Sequence, residues 1–387
     1  MGSKGCGTTW PPAAPHFRGK LRMTINTPCL VVDEEKTRAN IETMARRIAA
    51  TGCAMRPHIK THKSPYWARL QVQAGAAGIT VAKLGEAEVM ADGGLEDIFM
   101  AYPLIGEDKI RRALALSRRV KRFIAAADSL AGAQALSRAA VEAGLVLELR
   151  CEVDTGMRRT GIRYDRAEEA ICAIAALPGL RVTGIFTFRG ALLSGRPTHD
   201  LEAAGRQEGE LMASLAQRLR ERGVEIREVS VGSTPTALPC AAVPGVTEVR
   251  PGTYVYNDAM QIKYGLCGEA ECSALLAVTV VSRPGPDLAI VDGGVKVFAA
   301  DAPLHTEPYG FDRYGICVGH PGIRLTRLSE EHGMADLAPG EDPAVGEIFY
   351  FIPNHICTCV NLMDEVVLKR ADGTLEPMEV PGRGKSR

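Results

Sequence analysis

The feature that most constrains this chain is a rhythm. From Thr27 to about Thr253, short apolar runs alternate with amphipathic stretches. Cys29–Asp33 (CLVVD) reads as a strand, and 34–50 follows at helical spacing with Ile41, Met44, Ala45 and Ile48 on one face. Further strand candidates are 55–60, 78–82, 97–101, 122–126, 145–153, 180–188, 228–231 and 246–249. Helical stretches fill most of the gaps, at 64–74, 85–92, 109–118, 129–143, 166–176 and 201–222. Repeated strand–helix units fold into a parallel sheet, and about eight of them in roughly 230 residues suit a closed, TIM-like (β/α) barrel. An open doubly wound sheet is the alternative architecture for the same rhythm. The mixed charges of 206–222 read most simply as a solvated outer face.

After about Ala274 the texture changes. The runs 275–282, 287–291, 323–328, 348–352 and 366–370 are short and β-like, joined by Gly, Pro and Asp turns. The expected organisation is a flexible arm over 1–26, free to add to the β domain, a barrel over 27–265 and a mostly β domain over 266–387. Lys plus Arg is 46 and Asp plus Glu is 46, so the formal charge is zero and an electrostatic nucleic-acid binder is not expected. No apolar run is long enough to span a bilayer, which argues against a membrane partner. The amino end lacks an apolar core followed by a small-residue cleavage site. Eleven cysteines, odd in number and scattered, read as reduced thiols in a cytoplasmic protein.

Four constellations can carry chemistry. The first is Arg56-Pro57-His58-Ile59-Lys60-Thr61-His62-Lys63-Ser64, at the end of a strand candidate. Carboxyl ends of barrel strands face the active site. A lysine among His and Arg cations there is easier to deprotonate and better able to form a Schiff base. A solvated basic turn is the plainer reading, and Lys63, opening the next helix, is the lysine expected in solvent. The second is Glu152–Gly161 (EVDTGMRRTG), a tight turn from which one arginine can point back over the barrel mouth. The third joins Ser230–Thr236 (SVGSTPT) to Arg250–Tyr254 (RPGTY), late in the barrel, where loops often build a phosphate site from hydroxyls and backbone N–H groups. The fourth is Pro353–Cys359 (PNHICTC). On a strand, His355 and Cys357 share a face, with Cys359 able to join them. Imidazole plus thiolate suits zinc, and two or three ligands suit an open, catalytic position; a buried histidine with small apolar cysteines is the alternative.

These constellations, in this order, resemble the D-threonine aldolase and D-serine dehydratase family, pyridoxal-phosphate enzymes with an alanine racemase-like barrel and a β domain. The resemblance runs from about Thr27 to Arg383 and rests on TPCLVVD, RPHIKTHKS, EVDTGMRRTG, GSTPT, RPGTYVYND, LSEEHG and PNHICTCVNL. It implies that Lys60 holds pyridoxal phosphate as a Schiff base and is the catalytic lysine. Beside it His58 and Arg159 would meet the cofactor, and Gly232, Ser233, Thr234, Gly252 and Tyr254 would surround the phosphate. His355 and Cys357 match the family's divalent-metal pair, zinc being favoured over manganese or magnesium. A homodimer with each site bordered by both subunits is implied, as is a small-molecule D-amino acid substrate. Two departures bear on the reaction. Aldolase members usually carry His-x-Asp at the metal pair, where this chain has His355 and Cys357. They also carry a histidine in a Tyr-His-Gly run, where this chain has Phe188-Arg189-Gly190. Arginine stays protonated and is a poor base. Dehydration of D-3-hydroxy amino acids to a 2-oxo acid and ammonia is therefore favoured. Retro-aldol cleavage to glycine and an aldehyde is the alternative, followed by racemisation and non-catalytic cofactor carriage.

Overall fold

A computed structural model describes residues 25–387. The expected arm therefore lies outside the described residues except for Ile25 and Asn26, and Ile25 is buried in the core of the β unit. The chain forms two units. One holds 37–256, 263–266 and 380–387; the other holds the described residues up to Lys36 with 257–262 and 267–379.

The first unit is built on eight parallel strands. Around the ring they run Ala54–Met55, Glu248–Val249, Glu228–Val231, Leu180–Phe186, Leu147–Asp154, Arg122–Ala127, Asp97–Met100 and Ile79–Val81. The ring closes where His58 bridges Thr80 in parallel and Thr80 N–H donates to the Pro57 carbonyl at 2.8 Å. Closure excludes the open sheet. Helices cover the outside, so strands such as Asp97–Met100 and Arg122–Ala127 are buried almost throughout. Inside, Phe99, Ile124, Ala126 and Phe186 form an apolar cluster, with the Phe99 and Phe186 rings edge to face at 5.0 Å. Near the strand starts the filling is ionic. Glu248 accepts from Arg150 Nη1 at 2.6 Å, from Arg56 Nε at 2.8 Å and from Ser230 Oγ at 2.6 Å, all buried.

The helix Leu201–Glu221 corrects one expectation. Asp200 caps it, accepting from Ala203 N–H at 2.9 Å. Its mixed charges do not make it a solvated helix: Ala204, Gly205, Glu208, Gly209, Met212, Leu215, Ala216 and Leu219 are buried. A side-chain carbon at Gly209 would lie 2.8 Å from Val243 Cγ2, so glycine is what lets the two segments touch.

The second unit is a mostly antiparallel sheet. Its longest strand, Ala274–Gly285, pairs with Leu288–Val291, with Ile348–Ile352 and with Cys29–Asp33 in the register Cys29–Ala277. The chain's first strand, which the rhythm assigned to the barrel, thus belongs to this sheet. It has a parallel neighbour in Glu365–Lys369, which turns back into Leu375–Glu379. Sequence rhythm records that a strand precedes a helix but not which sheet takes it.

Candidate active site

The strand expected over 55–60 ends early. Ala54–Met55 is the strand proper, and Ile59–Thr61 is a turn of 3-10 helix capped by His58, whose Nδ1 accepts the Lys60 N–H at 3.3 Å. Desolvation, then the cations Lys60, Arg250 and Arg159 and the neighbouring His62, hold the His58 imidazole well below the ordinary histidine range. Lys60 Nζ lies 5.4 Å from the centroid of the Phe188 ring, and the Arg159 guanidinium lies 4.7 Å from the same ring. The structure therefore gathers Lys60 and Arg159 around Phe188, with His58 capping the turn that carries Lys60. Lys63 is not in solvent as expected. It is buried, with Nζ 2.7 Å from Glu86 Oε1, because its φ of +51° turns the chain inward before the helix Pro65–Gln73 begins. An ion-paired ammonium is a poor nucleophile, so burial separates two lysines that sequence ranked on the wrong ground.

The two late loops are laced by one hydroxyl. Thr234 Oγ1 accepts from Gly252 N–H at 3.1 Å and from Tyr254 N–H at 3.2 Å. A side-chain carbon at Gly252 would sit 3.2 Å from the His58 carbonyl and 3.3 Å from Thr61 Oγ1, so this loop packs tightly against the Lys60 turn. Gly232 has φ of +76° and donates to Glu208 Oε1 at 3.1 Å, while Ser233 N–H donates to Thr236 Oγ1 at 3.1 Å. Three supporting residues escaped the sequence reading. Glu208, fully buried behind the Gly232 loop, was signalled only by its flanking glycines, Gly205 and Gly209. Gln71 Nε2 donates to the Tyr254 hydroxyl at 2.9 Å, and its Oε1 lies 3.2 Å from His62 Nε2. His62 Nδ1 accepts Ser64 N–H at 3.1 Å, so the neutral ring carries its proton on Nε2. Burial pushes His62 down to about 4, with the Gln71 and Ser64 hydrogen bonds opposing.

In the β unit His355 and Cys357 do not alternate on a strand. His355 is the N-cap residue of the helix Ile356–Asn361, and Cys357 lies in that helix's first turn. Asp301 Oδ2 lies 2.5 Å from His355 Nδ1, and Asp301 Oδ1 accepts from Thr358 Oγ1 at 2.8 Å. Asp301 is the third residue of this cluster, and nothing in its sequence surroundings marks it. Burial opposes protonation of His355, but the Cys357 sulfur and the Asp301 carboxylate outweigh it and the imidazole is pushed up to about 11. Cys359 turns away, its Sγ donating to the Phe298 carbonyl at 3.1 Å. Among the described residues no three His, Cys, Asp or Glu side chains form a group that could hold a metal ion. The Asp292–Lys296 and Ser329–Gly333 turns meet each other, with Lys296 Nζ 2.6 Å from Glu331 and 3.0 Å from Glu330.

A closed parallel barrel with a lysine turn and two hydroxyl-rich loops at its carboxyl mouth, joined to an antiparallel unit, defines the alanine racemase-like class. The alanine racemase N-terminal domain family matches residues 32–259, and a serine dehydratase domain matches residues 273–368. A D-threo-3-hydroxyaspartate dehydratase from Delftia sp. (strain HT23) is 32% identical over 92% of this chain and 97% of its own. A D-threonine aldolase from an Arthrobacter species is 32% identical over 97% of each chain. The solved Delftia dehydratase superposes with a TM-score of 0.84 over 92% of this chain and 97% of that one. Alanine racemase of Clostridium difficile 630, at 14% identity and a TM-score of 0.67 over 92% of this chain, shares the fold. The chain belongs to the D-threonine aldolase and D-serine dehydratase family of pyridoxal-phosphate lyases.

The residues present suit both groups that this family implies. A primary amine, a neutral imidazole, and amides and hydroxyls of two glycine loops are the donor set for an aldehyde and a phosphate. His355 and Cys357, with Asp301 at the His355 Nδ1, would supply two ligands and an orienting carboxylate for a metal with open positions. No helix of the described residues is long and apolar enough to cross a membrane.

Proposed function

We propose that this protein is a cytoplasmic, homodimeric lyase that uses pyridoxal phosphate and zinc to dehydrate D-3-hydroxy amino acids to a 2-oxo acid and ammonia. The observation that carries the reading is the setting of His355, whose Nδ1 lies 2.5 Å from Asp301 Oδ2 and which stands two residues before Cys357 at a helix start, a nitrogen–sulfur pair suited to a Lewis-acidic metal. When bound, the cofactor ring supplies an electron sink for charge at Cα and the metal supplies a Lewis acid for the 3-hydroxyl.

The chain's own residues do the rest. Lys60 Nζ would hold the cofactor by its aldehyde and, as a free amine, would be the base for the α-proton. His58 stays uncharged, so its ring adds no competing proton to Lys60. Thr234, Gly252 and Tyr254, with Gly232 and Ser233, hold the phosphate, and Arg159 flanks the ring. His355 and Cys357 hold the metal, and Asp301 fixes the imidazole by its Nδ1 edge. Loss of the α-proton and of the 3-hydroxyl leaves an enamine that water converts to the 2-oxo acid and ammonia. Arg189 supports dehydration over retro-aldol cleavage, since a permanent cation cannot take a hydroxyl proton. The Arthrobacter relative keeps cleavage to glycine and an aldehyde as the second reading.

The test is one panel. Protein loaded with pyridoxal phosphate and zinc is offered D-serine, D-threonine and D-3-hydroxyaspartate, with 2-oxo acid, ammonia, glycine and aldehyde all assayed. The expected products are 2-oxo acid and ammonia, lost on chelation and restored by zinc. Turnover indifferent to a chelator removes the metal from the mechanism. Asp301→Ala is expected to weaken zinc binding about 10- to 100-fold, the usual cost of losing a carboxylate behind a ligating imidazole. Competition with a chromophoric chelator measures it. Unchanged affinity shows that Asp301 does not orient His355.

A further inference from the structure

Arg189 is an arginine with too few partners. The residue is 3% exposed. Its Nη2 donates to Gln207 Oε1, an oxygen that also takes the Ser194 N–H at 3.0 Å. Its Nε and Nη1 are buried and have no hydrogen-bond partner among the described residues. A buried charge left unpaired is costly, and each unmet donor adds to the cost. The acidic groups that face it offer no firm counter-charge. Glu208 is pushed up by burial toward its neutral form, already accepting from Gly232, and the Cys240 thiol is likewise pushed well up by burial.

The place of these free donors is informative. Arg189 follows Phe188, whose ring flanks both Lys60 and Arg159. A side-chain carbon at Gly156 would lie 4.0 Å from Arg189 Nε, so the guanidinium lies beside the Glu152–Gly161 turn at the barrel mouth. An anion entering here meets N–H donors already desolvated and held by Gln207, the arrangement in which charged hydrogen bonds are strongest. Two carboxylates and one phosphate are candidates. The phosphate has hydroxyls and amides of its own at the two late loops. The α-carboxylate, common to every amino acid, has a second cation open to it in Arg159, which is exposed and lies 4.7 Å from the centroid of the Phe188 ring.

We propose that Arg189 receives a second carboxylate, carried on Cβ of the substrate. The substrate class is then the D-3-hydroxy dicarboxylic amino acids. The proposal rests on the lyase reading above for its reaction but not for its binding measurement. A hydrogen bond to a charged group contributes enough that losing one or two of them costs roughly 100-fold in selectivity.

Binding is tested first, with non-reacting probes. D-Aspartate and D-alanine differ by the second carboxylate and lack the 3-hydroxyl. Cofactor-loaded wild-type protein is expected to bind D-aspartate the more tightly, and Arg189→Gln to lose that preference by roughly 100-fold. Turnover is tested second. The ratio of kcat/KM for D-3-hydroxyaspartate over D-serine is expected to fall by a similar factor. Arg189→Lys keeps a cation and serves as the folding control, with an intermediate ratio expected. Equal binding of the two probes by wild type, or ratios in both variants matching wild type, overturns the proposal. So does a tenfold or larger loss of pyridoxal-phosphate affinity in Arg189→Gln with the ratios unchanged, because Arg189 then serves the phosphate. Failure of every hydroxy acid to react while D-aspartate still binds by Arg189 defeats the lyase reading alone.

Discussion

Lys60→Ala is expected to lower turnover by roughly 1,000-fold or more while leaving the protein folded. A positioned proton acceptor alone contributes about 100- to 10,000-fold, and this lysine is also asked to hold the cofactor covalently. Its side chain is half-buried and lies against the Phe188 ring, so truncation opens no large cavity. Borohydride reduction of the cofactor-loaded protein locates the imine directly. The reduced adduct is expected on the peptide carrying Lys60 in wild type and is expected to vanish in the variant. Neighbouring lysines make this a stringent test. Lys63 is three residues away but committed to Glu86 at 2.7 Å, and Lys83 Nζ lies 3.8 Å from the centroid of the Tyr102 ring. An adduct on either, or full turnover without Lys60, removes the lysine from the chemistry and the cofactor reading with it.

Periodicity carries the barrel because a strand covered on both faces and a helix covered on one leave different apolar spacings. Val229 and Val231, or Ile98 to Met100, announce themselves in that way. Periodicity does not carry partnership. Cys29–Asp33 has the spacing of a barrel strand, yet its hydrogen bonds go to Ala274–Gly285 and Glu365–Lys369. Strand ends are also lost to it: the apolar Ile59 continues the run, while the backbone leaves the ladder after His58 to form the turn that presents Lys60.

The site is legible wherever its chemistry sits in one short run. RPHIKTHKS, SVGSTPT, RPGTY and PNHIC each announce themselves by residue type. What the sequence hides is the supporting layer, because its members are single polar residues inside unrelated elements. Gln71 lies in a helix between Val72 and Leu70 and reaches Tyr254 only through the fold. Glu208 lies in a helix rich in solvent charges, and Asp301 lies in a loop 54 residues before His355. The alternation rule likewise fails at His355 and Cys357. The chain there is a helix start, not a strand, with His355 at the N-cap and Cys357 in the first turn.

Glu248→Gln is expected to be the most destabilising substitution proposed, at about 3–5 kcal/mol, the usual cost of breaking a buried ion pair by removing one partner. The carboxylate serves two arginines at once. Arg56 retains Asp97 at 2.5 Å after the change, but Arg150, fully buried, keeps only Glu228 at 3.9 Å. Burial raises the Glu248 pKa, yet Arg150, Arg56 and the Ser230 hydroxyl overcome it and hold the carboxyl well below the usual range. The sign of the pH effect follows. A carboxyl with a depressed folded-state pKa contributes its full stability above its unfolded value, about 4.3, and loses it as pH falls toward the folded value. Wild type is therefore expected to lose stability progressively below about pH 4, and Glu248→Gln to lack that share of the acid slope. Urea midpoints between neutral and acid pH measure both effects. The acid slope separates charge from packing: if the variant melts early but keeps the wild-type slope, the defect lies in packing around Ser230 and not in the unpaired arginines. A double change to apolar residues at Arg150 and Glu248 completes the argument, since removing both charges costs less than orphaning one. If the double variant is no more stable than Glu248→Gln, the ionic filling at the strand starts is held together by more than this pair.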